Sequence, residues 1–241
     1  MIGTFTETSG TENDKVLELA TAVGTTLENA PKATANFGIS GAAIDADKTL
    51  GTITVAIAKN VIDTFAELQA AVNAGGTVKL GGDITLEDYL NIYAASPLLL
   101  DLNGHTITGE GKSVWLHSGT CTIRGGSITV TETEAVNNFG GTLTIDQCTI
   151  SSASGCALYS DNDNAVTTVK NSTLSRTDIW YVVFVATGTV SLEGDVNLTG
   201  TIYGNVTVLP GTYNIDITSY VDADAFTVTD NGDGTWTVAA K

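Results

Sequence analysis

Basic residues are scarce in this chain of 241 amino acids: 10 Lys and Arg stand against 27 Asp and Glu, a net charge of −17 at neutral pH. Such a chain repels phosphate, so nucleic acid and anionic membrane surfaces are excluded as natural partners. An acidic polysaccharide is disfavoured for the same reason unless a cation intervenes. The carboxylate excess reads first as a solubility device that deters edge-to-edge pairing of a β-rich surface. Charged residues of both signs reach only 15%, against about 25% in typical domains, and aromatics only 7%. Proline occurs 3 times while glycine occurs 26 times, a mixture that suits many short strands and tight turns.

Cysteine is also sparse. Cys121, Cys148 and Cys156 are odd in number and lack Cys-x-x-Cys spacing, which argues against a disulfide framework and predicts buried, reduced thiols. No basic segment followed by an apolar one opens the chain, Met1 to Gly10 being polar and Thr-rich, and no apolar run approaches membrane-spanning length. Neither a cleavable export signal nor a bilayer span is expected.

What the sequence does contain is a repeat. Short apolar runs recur as Val78-Lys79-Leu80, Leu100-Asp101-Leu102, Cys121-Thr122-Ile123, Leu143-Thr144-Ile145, Thr167-Thr168-Val169 and Val190-Ser191-Leu192, with last residues 22, 21, 22, 24 and 23 positions apart. A second series ends at Leu86, Ile107, Ile128, Ile150, Leu174 and Leu198, spaced by 21, 21, 22, 24 and 24. A third, looser series comprises Leu90-Asn91-Ile92, Val114-Trp115-Leu116, Ala135-Val136-Asn137, Ala157-Leu158-Tyr159 and Val182-Val183-Phe184.

Three short strands per repeat, each alternating apolar with polar residues, predict a solenoid whose bore takes one set of side chains and whose surface takes the other. The expected fold is all-β: a right-handed parallel β-helix of about six to seven coils with an N-terminal α/β segment and a C-terminal β-hairpin. A leucine-rich horseshoe would require a Leu-x-x-Leu-x-Leu pattern that is missing.

The residues that follow the first series are Gly81, Asn103, Arg124, Asp146, Lys170 and Glu193. In stacked coils these become neighbours, and the last four alternate in sign as register demands. They predict an outward structural charge ladder of Arg124, Asp146, Lys170 and Glu193.

The stretch Phe65 to Gly109, with Glu67-Leu68-Gln69-Ala70-Ala71-Val72-Asn73-Ala74-Gly75-Gly76 and Leu99-Leu100-Asp101-Leu102-Asn103-Gly104-His105-Thr106-Ile107, resembles the opening of pectate-lyase-like β-helix domains. The resemblance implies a short helix over the first coil, and Thr64 and Glu67 have the spacing of a capping box, with Gly75-Gly76 as its end. The segment Ser219 to Val238 is similar to the closing segments of bacterial surface solenoids and reads as a hairpin turning at Asp230-Asn231-Gly232-Asp233-Gly234. Enzymes of the resembled family use clustered carboxylates with calcium and a basic residue, or paired Asp. The same fold also carries adhesins and virion proteins.

Residues 1–62 have no repeat and read as a docking segment, with a helix over Asp14 to Ala30 and a strand over Leu50 to Ala58. Residues 63–217 form the solenoid and 218–241 the hairpin.

No catalytic constellation emerges. Adjacent Asp-Asp is missing, Arg124 belongs to the ladder, and Arg176 sits in a loop beside Asp178. His105 reads as a turn residue, and His117 as the start of a loop with no partner. Asp161-Asn162-Asp163-Asn164 lacks calcium-loop spacing and reads as a turn. No catalytic residue, metal ligand or cofactor is therefore assigned. Trp115, Trp180 and Tyr181 are the candidate carbohydrate-binding residues, since exposed rings stack on sugars.

These features predict a non-enzymatic structural or attachment protein, in its most concrete form a bacteriophage virion decoration or fibre component. The expected partners are other virion or surface proteins through residues 1–62, with a host glycan and a homo-oligomer as further options. The alternatives are a bacterial cell-surface adhesin or carbohydrate-binding solenoid, and a polysaccharide lyase or hydrolase.

Overall fold

The computed structural model describes residues 2–7, 17–20, 54–56, 61–177 and 180–241, and the chain divides into two compact units, Met1–Asn60 and Val61–Lys241. In the first unit Ile2–Glu7 is the central strand of an antiparallel sheet, flanked by Leu17–Ala20 and Thr54–Ala56. The helix expected over Asp14 to Ala30 is corrected where it is described: Leu17–Ala20 is strand. Its alternating Leu-Glu-Leu-Ala pattern fits the period of a strand as well as that of a helix, and pairing with Ile2–Glu7 decides between them. Thr54–Ala56 lies within the strand expected over Leu50 to Ala58; the rest of both segments falls outside the described residues.

The second unit is a parallel β-solenoid of about six turns. It opens on the helix Phe65–Val72, which forms because Thr64 accepts a hydrogen bond from the Glu67 N–H at 3.2 Å while Glu67 reaches back to the Asp63 N–H at 3.1 Å. Gly75 and Gly76, at φ 76° and 82°, end the helix and turn the chain into the first coil. Leu68 and Val72 bury one side of the helix on the solenoid end.

Each coil then runs through three faces. On the first, Gly76–Lys79, Leu98–Asp101, Thr120–Val130, Thr142–Ser152, Leu158–Lys170, Tyr181–Thr199 and Val206–Tyr213 pair in parallel. The bore column on this face is Val78, Leu100, Ile123, Ile145, Val169, Leu192 and Val208, all buried. The second face stacks Ile84, Ile107, Ile128, Ile150, Leu174 and Leu198. The third stacks Leu90, Val114, Val136, Leu158, Val183 and Ile202. Apolar side chains facing inward at every layer give one continuous core, the main stabilising term of a solenoid.

The observed register corrects the sequence alignment at three places. Leu100, not Leu102, stands over Ile123, while Val78 lies under Leu100 as the aligned runs have it. Ile84, not Leu86, opens the second column. In the third series Val136, Leu158 and Val183 share the position of Val114, one residue later than aligned. The first two shifts are by two residues and preserve the inward face; the third is by one and exchanges the faces.

With the first shift applied, the outward charge column lengthens. Arg124 pairs with Asp146, Asp146 with Lys170 and Lys170 with Glu193, while Asp101 and Lys79 occupy the same position in the two preceding coils. Signs alternate along all six. The Arg124 guanidinium donates to Asp101 at 2.9 Å and Lys170 to Glu193 at 2.8 Å. Burial pushes the Asp101 carboxyl up, but hydrogen bonds from Arg124 and the Asn103 N–H, with the charges of Arg124 and Lys79, outweigh it and hold the group below the usual carboxylate range. Replacing Arg124 by Glu would place three acids in consecutive coils, and should cost about 1 kcal/mol at low ionic strength. Thermal melts should show that loss shrinking in about 1 M salt, where the screening length falls to about 3 Å.

After the ladder position the chain turns a corner that repeats in left-handed backbone: Gly125, Gln147, Asn171 and Gly194 lie at φ 70°, 54°, 46° and 71°. Asn171 suits that conformation and its Oδ1 also accepts from the Asp195 N–H at 3.3 Å in the next coil. At the far end Trp236–Ala240 pairs antiparallel with Val206–Tyr213 and with Phe226–Asp230, so the hairpin caps the last coil. Its turn is the predicted Asp230 to Gly234 segment, with Gly232 at φ 77° and Gly234 at φ 86°. Cys121, Cys148 and Cys156 are buried and form no disulfide; burial pushes the first two thiols up to about 12 and about 11.

Candidate functional site

The outward column of the third face is chemically unlike the other two. Its register places Asn91, Trp115, Asn137, Tyr159, Phe184 and Tyr203 one above another in successive coils. Neighbouring rings come from the ends of the same strands or, for Tyr89 and Phe139, from the residue just beyond. Strand alternation explains this: Val114 and Leu116 point into the bore, so Trp115 and His117 point out.

Ring contacts fall into two groups. In the first, Trp115 lies 4.2 Å from Tyr89, 5.3 Å from Phe139 and 5.9 Å from His117, while His117 stacks on Tyr93 at 4.4 Å and on Phe139 at 5.6 Å. In the second, Phe184 lies 4.8 Å from Tyr203, 5.4 Å from Tyr181 and 5.6 Å from Tyr159, and Tyr181 lies 5.0 Å from Tyr203. Asn137 occupies the column between Trp115 and Tyr159. Among the described residues, three of the four exposed large apolar side chains belong to this region by sequence and register: Tyr93 at 53%, Tyr203 at 48% and Trp180, beside Tyr181, at 63%.

The three residues singled out from the sequence are thus divided. Trp115 is half-buried, anchored by its Nε1–H to Ser113 Oγ at 2.6 Å, and central to the first group. Tyr181 belongs to the second group. Trp180 is exposed at its margin, and its carbonyl meets the Thr201 N–H. The four ladder residues lie on the first face. Tyr93, His117, Phe139, Tyr159, Phe184 and Tyr203 are not singled out by the sequence: His117 reads there as a loop start, and the third series sets Val136 rather than Asn137 beside Trp115, which breaks the column that leads to Tyr159 and Phe184. The correct offset makes the ring column visible in sequence.

Other expectations change here. His117 lies in the strand Val114–Ser118, and its Nε2 pairs with Asn91 Oδ1 at 2.9 Å. Asp161 to Asn164 is no turn between strands; it is an irregularity inside the strand Leu158–Lys170, where the register shifts between Asp161 and Val166. His105 remains at a turn, its Nδ1 3.5 Å from Asp83. Arg176 ends the strand Thr173–Arg176 and donates to the Ser154 carbonyl; Asp178 lies outside the described residues. Among the described residues no group of three or more His, Cys, Asp or Glu could hold a metal ion.

Burial lowers the His117 pKa below 6.5. Between that lowered value and about 6.5 the unfolded chain binds a proton that the folded one refuses, so this contribution to stability is full above about 6.5 and falls as the pH drops below it. Melting temperatures of the wild type from pH 7 to pH 5 should therefore fall more steeply than those of His117→Gln. Parallel curves would show that the imidazole does not titrate differently in the two states.

Fold and face together define a parallel β-solenoid carrying an aromatic track along one outer side. The chain matches no protein-family model, no curated protein and no solved structure.

Proposed function

We propose that this protein is a non-enzymatic attachment protein, a solenoid that presents its aromatic face to a surface glycan, with a bacteriophage virion decoration or fibre component as its most concrete setting. The observation that carries the reading is the ring column from Trp115 to Tyr203, with half-exposed Tyr93 and Tyr203 at its two ends. A soluble protein gains nothing in its own core from rings held partly in water, whereas a sugar's apolar face is covered by them. We also place the solenoid with right-handed pectate-lyase-like helices, on the helix over its first coil and the Leu99 to Ile107 stretch. Residues 1–62 are assigned the docking role toward other virion proteins.

Incubation of the full chain with an immobilised glycan panel tests the reading. Retention on a glycan is expected, with loss of that retention in the double variant Tyr93→Ala, Tyr203→Ala and little change in its melting temperature. Reducing ends and unsaturated products should stay at background; their accumulation would make the protein an enzyme and end this reading.

A further inference from the structure

Among the described residues, Asn137 carries the buried side-chain polar atom left without a hydrogen-bond partner, its Oδ1. Its side chain is 2% exposed, and its Oδ1 is buried with no hydrogen-bond donor in reach. The contrast with Asn91, in the same column, is informative: there the carboxamide oxygen meets His117 Nε2 at 2.9 Å and the amide donates to the Tyr89 carbonyl at 3.0 Å. Asn138, the inward neighbour, is also satisfied, by the Gly140 and Gly141 N–H groups and by Thr167. A lone buried carbonyl is costly and calls for a donor. This one lies in the column between Trp115 and Tyr159, at a position that carries no ring, although Phe139 of the same coil belongs to the first group.

We propose that the two ring groups form one binding track for an uncharged glycan laid parallel to the solenoid axis, with Asn137 at its centre accepting a hydrogen bond from a sugar hydroxyl. This rests on the attachment reading above. The coil rise of about 4.8 Å is close to the length of one pyranose residue, so an extended chain along the axis keeps step with the rings coil by coil. Half-buried Trp115 and Tyr159 flank the amide in the adjoining coils, and on binding their rings part to admit the hydroxyl, because Oδ1 is sealed from solvent in the free protein.

Charge selects against acidic sugars. The Tyr159 hydroxyl is pushed up by burial and then by the negative charge of Asp161, with Glu134 adding to it, so the middle of the track lies in a negative field. The cations Lys79, Arg124 and Lys170 stand on the first face in the ladder. Lys112, 5.3 Å from the Tyr89 ring centroid, supplies a positive charge at the first-coil end, where it can meet a single anion but not a repeating one. A polyuronate would bring a carboxylate to every layer.

Titration calorimetry with the full chain separates the outcomes. The probes are cellohexaose, mannohexaose and xylohexaose against hexagalacturonate and hexaguluronate, at low ionic strength. At least one neutral hexasaccharide is expected to bind, at least about tenfold tighter than either uronate. Asn137→Leu should weaken that binding by about tenfold or more while leaving the melting temperature equal or higher, because it removes the orphaned carbonyl. Should the leucine lower the melting temperature, Asn137→Ala, which adds no volume, carries the same comparison.

A uronate bound as tightly as the neutral sugars, or unchanged binding in the Asn137 variants, overturns the proposal and leaves the attachment reading standing. Binding to none of the five overturns both. A self-associated wild type that dissociates in Tyr203→Lys would assign the track to a second copy of the chain and likewise overturn it.

Discussion

Asn138→Ala is expected to destabilise the solenoid by about 3 kcal/mol, although it removes a polar side chain from an apolar bore. Asn138 sits where Leu116 stands in the coil before, and it is fully buried. Its Oδ1 accepts from the Gly140 N–H at 3.2 Å and the Gly141 N–H at 2.9 Å, and its Nδ2 donates to the Gly141 carbonyl at 2.9 Å and to Thr167 Oγ1 at 3.0 Å. The side chain thus closes the turn between the third face and the first. Alanine strands the buried Gly141 N–H, the part-buried Gly140 N–H and the buried Thr167 hydroxyl, each worth about 1–3 kcal/mol if left dry, while the Gly141 carbonyl keeps the Val166 N–H. Water entering the vacated space would recover part of that, which sets the estimate nearer the low end. Denaturant midpoints of the two proteins give the comparison. A loss below about 1 kcal/mol would mean that the turn holds itself without the carboxamide.

Ile145→Asp should cost more still. Ile145 lies mid-bore between Ile123 and Val169 and is wholly buried. Removing its aliphatic branch alone costs about 2–5 kcal/mol, as alanine would. Aspartate adds the burial of an acid with no cation in the bore to pair it. Because each coil touches only its neighbours, the damage should spread by nearest-neighbour coupling rather than all at once. Amide exchange is expected to lose protection first in Thr120–Val130, Thr142–Ser152 and the second half of Leu158–Lys170, the strands that pair through this layer. Thr149→Ala, four residues on in the same strand but on its exposed side, should stay within about 0.5 kcal/mol of the wild type. Uniform loss of protection from the Phe65–Val72 helix to the hairpin would show instead that the solenoid unfolds as a single unit.

Both expectations depend on register, and register was only partly legible. Apolar runs recurring every 21 to 24 residues could be found in the sequence, because burying one face at each layer imposes the same pattern on every coil. Leu80 and Leu102 misled the first column, since each is apolar, buried and two residues from the correct position. Period two cannot tell such residues apart; the corner can, for Leu102 leads into the Asn103-Gly104 turn at φ 52° and 81°. The third series was harder, because Ala135, Val136, Asn137 and Asn138 are buried in succession and offer no alternation to read.

The sequence by itself determined the class of fold, the helix that opens the solenoid, the hairpin that closes it and the alternating charges from Arg124 to Glu193. Each of these is a local pattern or a periodic one, and periodic burial writes itself into every repeat. Only the tertiary structure decided which side chains share a layer: that Lys79 and Asp101 extend the ladder, that Asn137 stands between Trp115 and Tyr159, and that rings from six coils line one side. Those neighbours are some twenty residues apart in the chain, and a single-residue change in loop length carries a side chain from the surface to the bore. The physical reason is the two-residue period of a strand: it fixes alternation within each coil while leaving the phase between coils to the corners and the packing around them.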